Sequence, residues 1–347
     1  MKTLTLRGTL TAVGPVAVSP PGTALFKDGD KSPARLPRAG HSSNAPRYLP
    51  ASTLRHLLRH HLTGTVMEAL SANGRQLELG SLLVLAKGYT RVRLQSDGDG
   101  SETATKACRR LEREGYVREK NPMVGMFGAW GLPAELRVGN AHPHSKDGRE
   151  VVCVRHGVVR TQLEDDLEEQ MPPELLAQYE EVLVDSSRPL EERKRNRGFD
   201  GILHFREAGW EEIVAGTDCD WQIVLHRADA LKAGAVLAAL RRFAADPFIG
   251  AHRAMGCGEV ALSLFAEMVE YEPLQNPRRE RFGSVSVNVE SDGGTDHDDS
   301  RARSTRVPFE VTGALRDMLA EFDNAARAGF PGWDFSVLPP NEWGGEQ

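Results

Sequence analysis

Cysteine is scarce and scattered in this 347-residue chain: Cys108, Cys153, Cys219 and Cys257 form no CxxC pair. Zinc-site spacing is therefore absent, and a disulfide framework is not expected in so long a chain, so the thiols read as reduced. Aromatic residues make up only 6%. No apolar run approaches the roughly 20 residues a membrane helix needs, so no membrane partner is expected. Met1 to Gly8 reads as a strand start and has no apolar signal-peptide core. The expected localisation is cytoplasmic. GxSxG, HExxH, the Walker A loop and the Rossmann glycine run are all missing, which removes the usual support for nucleophilic, zinc-dependent and nucleotide-driven catalysis. Hydrophobic residues at 40% and charged residues at 27% fit a globular protein with a substantial core.

Charge of one sign is missing locally rather than globally. The formal net charge is -6, yet residues 31–67 contain no Asp or Glu. That stretch carries Lys31, Arg35, Arg38, Arg47, Arg55 and Arg59, with His41, His56, His60 and His61 among them. Residues 161–187 are the converse: nine acids, from Glu164 to Asp185, and no Lys or Arg. Segregation of this kind builds local potentials, which matter more than net charge in choosing a partner.

Alternation predicts a strand, with room for a second, over Leu4–Val18. Residues 22–47 have few apolar anchors and read as a long loop. A helix is expected from Ser52 or Thr53, either of which is a good N-cap, with Leu54, Leu57, Leu58 and Leu62 on its buried stripe. Leu82–Val92 is a strand or buried helix. Ser101–Glu114 is a helix that Gly115 stops. Asn121–Trp130 is turn-rich, and Leu136–Ala141 and Val151–Val159 are strands. The acidic 161–187 segment is helix-prone, and 188–198 is basic. Glu211–Thr217 and Trp221–Leu225 read as a strand pair, Asp229–Ala245 as an amphipathic helix, Gly250–Gly258 as a glycine-studded loop and Glu259–Phe265 as a final core strand. Ser291–Ser300 reads as a mobile loop rich in Asp and Gly.

The acid-free stretch and the helix behind it suggest polyanion binding. Arg55 and Arg59 sit four apart on one face, and free N–H groups at a helix start favour a phosphate. In the loop of Gly250, His252, Arg253, Gly256 and Gly258, glycines would expose N–H groups to a ligand, or simply make a tight turn. Asp296, His297, Asp298 and Asp299 are compatible with a divalent cation but more simply with a solvated linker. His56, His60 and His61 offer a general base or metal ligands, although adjacent His60 and His61 point different ways on a helix.

Several of these segments resemble one known family. Tyr48-Leu49-Pro50-Ala51-Ser52-Thr53-Leu54-Arg55 is similar to the tyrosine–isoleucine–proline–glycine–serine–serine–leucine–arginine helix start of the CRISPR-associated RAMP superfamily. Asn121–Gly128 followed by Leu136-Arg137-Val138 resembles its phenylalanine–glycine element and next strand. Glu212–Thr217 resembles its glutamate–x–valine–proline–alanine–glycine–threonine strand, and Gly250–Val260 its C-terminal glycine-rich loop. The matches keep the family's order over residues 4–265.

That resemblance implies an α+β fold: a modified RNA-recognition-motif (ferredoxin-like) palm with an inserted helical finger region and a thumb hairpin. The implied divisions are palm at 1–62, 121–144 and 208–270, finger at 63–120, thumb at 145–207, and a C-terminal extension at 271–347 with a mobile acidic loop. It implies a backbone subunit of a class 1 effector complex. Copies would stack head to tail along guide RNA, beside other subunits, with target DNA reached through the guide. The expected RNA contacts are Arg38, His41, Arg47, Ser52, Thr53, Arg55, Arg59, Gly250, His252, Arg253, Gly256 and Gly258. RNA-slicing type III subunits carry an aspartate in the loop before the helix. Here residues 31–49 hold none, and Asp28 and Asp30 are the nearest acids. The expectation is therefore a non-cleaving, type IV-like scaffold with no catalytic residue, cofactor or metal. The alternatives are a slicer using Asp28 or Asp30 with a divalent ion, or a guide-processing endoribonuclease using His56 or His60.

Overall fold

The computed structural model describes residues 2–18, 35–40, 42, 45–88, 105–129, 132–145, 150–159, 173, 206–251, 253, 256–272, 276–289 and 309–339. The described elements, in chain order, begin with β1 (Lys2–Ala12), α1 (Ala51–Ala72), α2 (Leu79–Lys87), α3 (Thr105–Lys120) and α4 (Pro122–Phe127). Next come β2 (Leu136–Val138), β3 (His142–His144), β4 (Val152–Val159), β5 (Arg206–Ile213), β6 (Asp218–His226) and α5 (Ala230–Phe243). The order closes with β7 (Val260–Glu270), β8 (Arg278–Val287), β9 (Phe309–Val311) and α6 (Leu315–Arg327). The chain divides into two compact units, one of residues 1–19, 36–152 and 213–347, the other of 20–35 and 153–212.

The larger unit is α+β, built on an antiparallel sheet of seven strands. β2 and β3 both pair with β6, and β1, β7, β8 and β9 follow in that order. Since β1 is antiparallel to both β6 and β7, β6 and β7 run the same way with β1 between them. By the same logic β1 and β2 run the same way across β6. Each crossover thus straddles one strand, the first spanning α1 to α4 and the second α5. Period-two alternation buries Leu4, Leu6, Leu10 and Ala12 of β1, with Cys219, Trp221, Ile223 and Leu225 of β6, in one core with the leucines of α1 and α5. On the opposite face, Phe265 lies beneath Arg7 and Arg281, 4.9 and 5.7 Å from its centroid.

α1 forms because Leu54, Leu57, Leu58, Leu62, Val66 and Leu70 line one buried stripe. It runs unbroken through the boundary expected at residues 62 and 63. The apolar run near residue 82 forms the helix α2. α3 also corrects the sequence reading, continuing past Gly115 to Lys120. Glycine costs a helix interior about 0.5–1 kcal/mol, and burial of Val117 in the following turn outweighs that. Asn121, fully buried, then ends α3 and starts α4. Its Oδ1 accepts from the Val124 amide at 3.2 Å, while its Nδ2 donates to the carbonyls of Phe335 and Val337.

β7 is not the last strand of the core, another correction. β8 pairs along β7, and β9 along β8. α6 packs on α5 so closely that a β-carbon at Gly234 would lie 2.2 Å from the Met318 carbonyl oxygen. Arg241 and Asp323 join the two helices through two hydrogen bonds of 2.7 Å. The acidic loop expected at 291–300 lies outside the described residues.

In the smaller unit β4 pairs with β5. Buried Glu212 accepts from Trp210 Nε1 at 3.0 Å and pairs with Arg155 at 3.1 Å. The strand pair expected from Glu211–Thr217 and Trp221–Leu225 is therefore two strands in two different sheets. The acidic segment 161–187 lies outside the described residues except at 173. No described helix is long and apolar enough to cross a membrane.

Candidate nucleic-acid interface

The chain approaches α1 as a short ladder. Arg38 and Arg47 are bridged across it, the Ala39 amide donates to Pro46 and the Tyr48 amide to Pro37. Arg47 Nη1 donates to its neighbour Ala45 at 2.8 Å. Leu49 then pairs with Ala141 through two backbone bonds, which fixes the start of α1 beside the step between β2 and β3.

That start departs from the sequence reading. The helix begins at Ala51 with Pro50 as its N-cap, and neither Ser52 nor Thr53 caps it. The Asn140 side chain does so instead, accepting from the Ala51 amide at 2.8 Å. The physical reason is Pro50, which holds an extended conformation (φ -70°, ψ 137°) and places the N-cap two residues before Ser52. Ser52 is left exposed and Thr53 half-buried.

Arg55 and Arg59 lie on one flank of α1, where each donates to the C-terminal end of α4. Arg55 Nη2 donates to the Phe127 carbonyl and Arg59 Nη2 to the Gly128 carbonyl. Carbonyls at a helix end are unsatisfied and carry partial negative charge, so cations belong there. Arg59 also stands over the Phe127 ring at 5.3 Å. A β-carbon at Gly88 would touch its guanidinium. Among the described residues neither arginine is paired with a carboxylate, and α1 has no acid in its first turn. Burial lowers the pKa of Arg55, and burial followed by Arg55 holds Arg59 down at about 10.

Three histidines continue across the helix. His56 and His60 lie along its exposed crest, 6.3 Å apart. His56 is lowered by burial, then by His60 and Arg59. His61 faces the other flank, 5.7 Å from Phe243 at the end of α5. Burial, followed by His60 and Arg242, holds it down at about 4, and Arg253 contributes in the same direction. Arg242 itself pairs with Glu68.

The glycine loop does not present the amides expected of it. Gly258 donates to Pro15 and Ala251 to Ala17, while Gly256 donates to Arg253. Gly250 and Gly258 have φ of 86° and 100°, and a β-carbon at either would strike a carbonyl, of Ala17 and Ile249 respectively. These two glycines serve close backbone packing. Arg253 pairs with Asp246 at 3.3 Å and donates to the Phe248 carbonyl at 2.8 Å. His41 and His252 lie outside the described residues, as do Asp28, Asp30 and Asp296–Asp299.

The Leu49–Ala141 pairing sets the start of α1 beside the step between β2 and β3, and the glycine loop enters β7 at Val260, which pairs with Ala12 at the C-terminal end of β1. The sequence did not mark Asn140 or the α4 carbonyls. Their partners lie 69 to 89 positions away, and only the fold brings them together. Among the described residues no group of three or more His, Cys, Asp or Glu could hold a metal ion. No family model and no curated protein matches the chain.

Proposed function

We propose that this chain is a non-catalytic RNA-binding backbone subunit of a class 1 CRISPR complex, most like type IV. In this reading it grips the phosphates of a guide RNA and stacks head to tail along it. The observation that carries the proposal is the N-terminal half of α1, with no acid and with two part-buried guanidiniums that have carbonyl partners but, among the described residues, no counter-charge. Burial with an opposite charge absent makes a cation favour an incoming anion. A strand order of β2, β6, β1 and β7 with two straddling crossovers supports the palm of the RNA-recognition-motif type, in which helices cover one face of the sheet. Target selection would then fall to base pairing rather than to protein side chains.

The test is fluorescence anisotropy with single-stranded RNA over a salt series. In this reading the principal phosphate partners are Arg38, Arg47, Arg55 and Arg59. At about 0.7 per contact, log K is expected to fall against log salt with a slope near -3. Arg55→Ala should weaken unrelated RNA sequences equally and reduce the slope by about 0.7. A slope near zero, or a loss confined to one sequence, overturns the reading. Incubation of RNA-loaded protein with complementary RNA and magnesium should leave that RNA intact; periodic cuts would favour the slicer.

A further inference from the structure

A second charged feature lies away from α1, where α3, β2 and the turn into α5 meet. Glu135, 5% exposed, sits on the floor of an open cleft. Three cations surround its carboxylate: Lys232 at 3.0 Å, Arg227 at 3.6 Å and Arg118 at 3.8 Å. Arg118 and Lys232 are themselves largely withdrawn from water, with side chains 13% and 14% exposed. Glu135 and Asp229, the latter 3.6 Å from Lys232 Nζ, offset two of these three charges, and the third belongs to Arg227, whose side chain is 63% exposed. Asp229 also caps α5 through the Lys232 amide, Glu119 lines the smaller lobe and pairs with Lys120, and Glu114 lines the larger lobe.

The space is larger than a phosphate needs. Two lobes of about 310 and 540 Å³ share Arg118, Glu135 and Arg227. The larger adds Arg137 and His226, whose Nε2 is buried with no hydrogen-bond partner among the described residues. The smaller is walled by Trp333, whose indole lies parallel to Phe330 at 5.1 Å and is therefore held rigid. Arg227 has φ of 51°, the left-handed region, between β6 and α5.

We propose that this cleft is a mononucleotide site, with the phosphomonoester dianion held by Arg118, Arg227 and Lys232 and the base packed against Trp333. Charge-assisted bonds to a dianion would use the one cation of the three that the two carboxylates do not offset and further N–H donors of the other two, and an aromatic wall accepts any base through its π face. The site shares no residue with the RNA grip proposed on α1. A nucleotide can reach it free in solution or as the 5′-phosphorylated end of a strand, and the chemistry is the same.

Isothermal titration of the full-length protein with AMP, adenosine and inorganic phosphate tests it. AMP is expected to bind, with adenosine and phosphate each at least about tenfold weaker. Arg227→Gln alters a side chain 63% exposed, leaves the fold intact by circular dichroism, and is expected to weaken AMP about tenfold. Glu135→Gln gives a sign test: removal of the competing carboxylate should tighten AMP, whereas a purely structural ion cluster would lose stability and gain no affinity. Absence of AMP binding, AMP binding unchanged by Arg227→Gln, or adenosine or phosphate binding as tightly as AMP, overturns the proposal. Competition by a 5′-phosphorylated RNA trimer but not its 5′-hydroxyl form assigns the site to strand ends. No competition from either assigns it to free nucleotide.

Discussion

A guanidinium carries five N–H donors, and Arg55 and Arg59 each commit one to a carbonyl at the end of α4. These arginines therefore join α1 to α4 and keep donors for an anion as well. His61 shows the same crowding of positive charge as a pH effect. Its pKa is lowered from 6.5 to about 4 by burial, with His60 and Arg242 acting in the same direction. Above pH 6.5 the ring is neutral in both the folded and unfolded chain, and pH has no leverage. Below it the unfolded chain takes up the proton first, so stability falls as pH drops from 6.5 towards 4. Discounted for partial exposure, the loss is about 1–2 kcal/mol. His61→Gln should flatten the fall in melting temperature between pH 7 and pH 5; an unchanged profile would show that His61 is not the group responsible. Binding of RNA phosphates beside His56 and His61 should raise both pKa values, so affinity should increase as pH falls.

Among the elements, α1 depends on a cap from another part of the chain. Asn140→Ala removes the acceptor of the Ala51 amide and should cost about 1 kcal/mol, or about 2–4 °C in melting temperature for a unit of this size. Ser52→Ala, at an exposed position with no capping bond, should change stability by less than about 0.5 kcal/mol. Thermal melts of the two variants separate the caps, and a larger effect at Ser52 would restore the N-cap read from sequence. The contrast has a physical basis. Ser52 and Thr53 are the right residue types next to a leucine stripe, but Pro50 already has the extended backbone of an N-cap, and the Leu49–Ala141 pairing brings Asn140 within reach.

For the chain as a unit, the segment after β7 completes the core. Leu315, Phe322, Phe330 and Phe335 are buried to 1% exposure or less, and their transfer from water amounts to about 6–12 kcal/mol gross. The net stability of a domain is about 5–15 kcal/mol. A chain ending at Glu270 should therefore lack cooperative unfolding by circular dichroism and be digested rapidly by protease. A truncated chain that melts normally would mean that β8, β9 and α6 are an independent addition.

Whereas α4 read as turns and α6 was not predicted, helices α1, α3 and α5 and the three long strands of the sheet centre were legible, because an apolar stripe or a Thr–Leu alternation is a local pattern that burial enforces. β8 was less so: Arg278–Phe282 shows no clean alternation, and its pairing with β7 supplies what its own pattern does not. The basic flank of α1 was legible as charge, since residues 31–67 hold no acid at any fold. What that charge faces was not. Whether an arginine meets a carbonyl, a carboxylate or solvent depends on contacts 69 to 72 positions away for Arg55 and Arg59, and the loop amides of Gly258 and Ala251 were claimed by Pro15 and Ala17 for the same reason. Local periodicity and charge density thus came from the order of residues alone. The pairing of donors with acceptors, and the convergence of three cations on Glu135, arose when packing placed distant segments side by side.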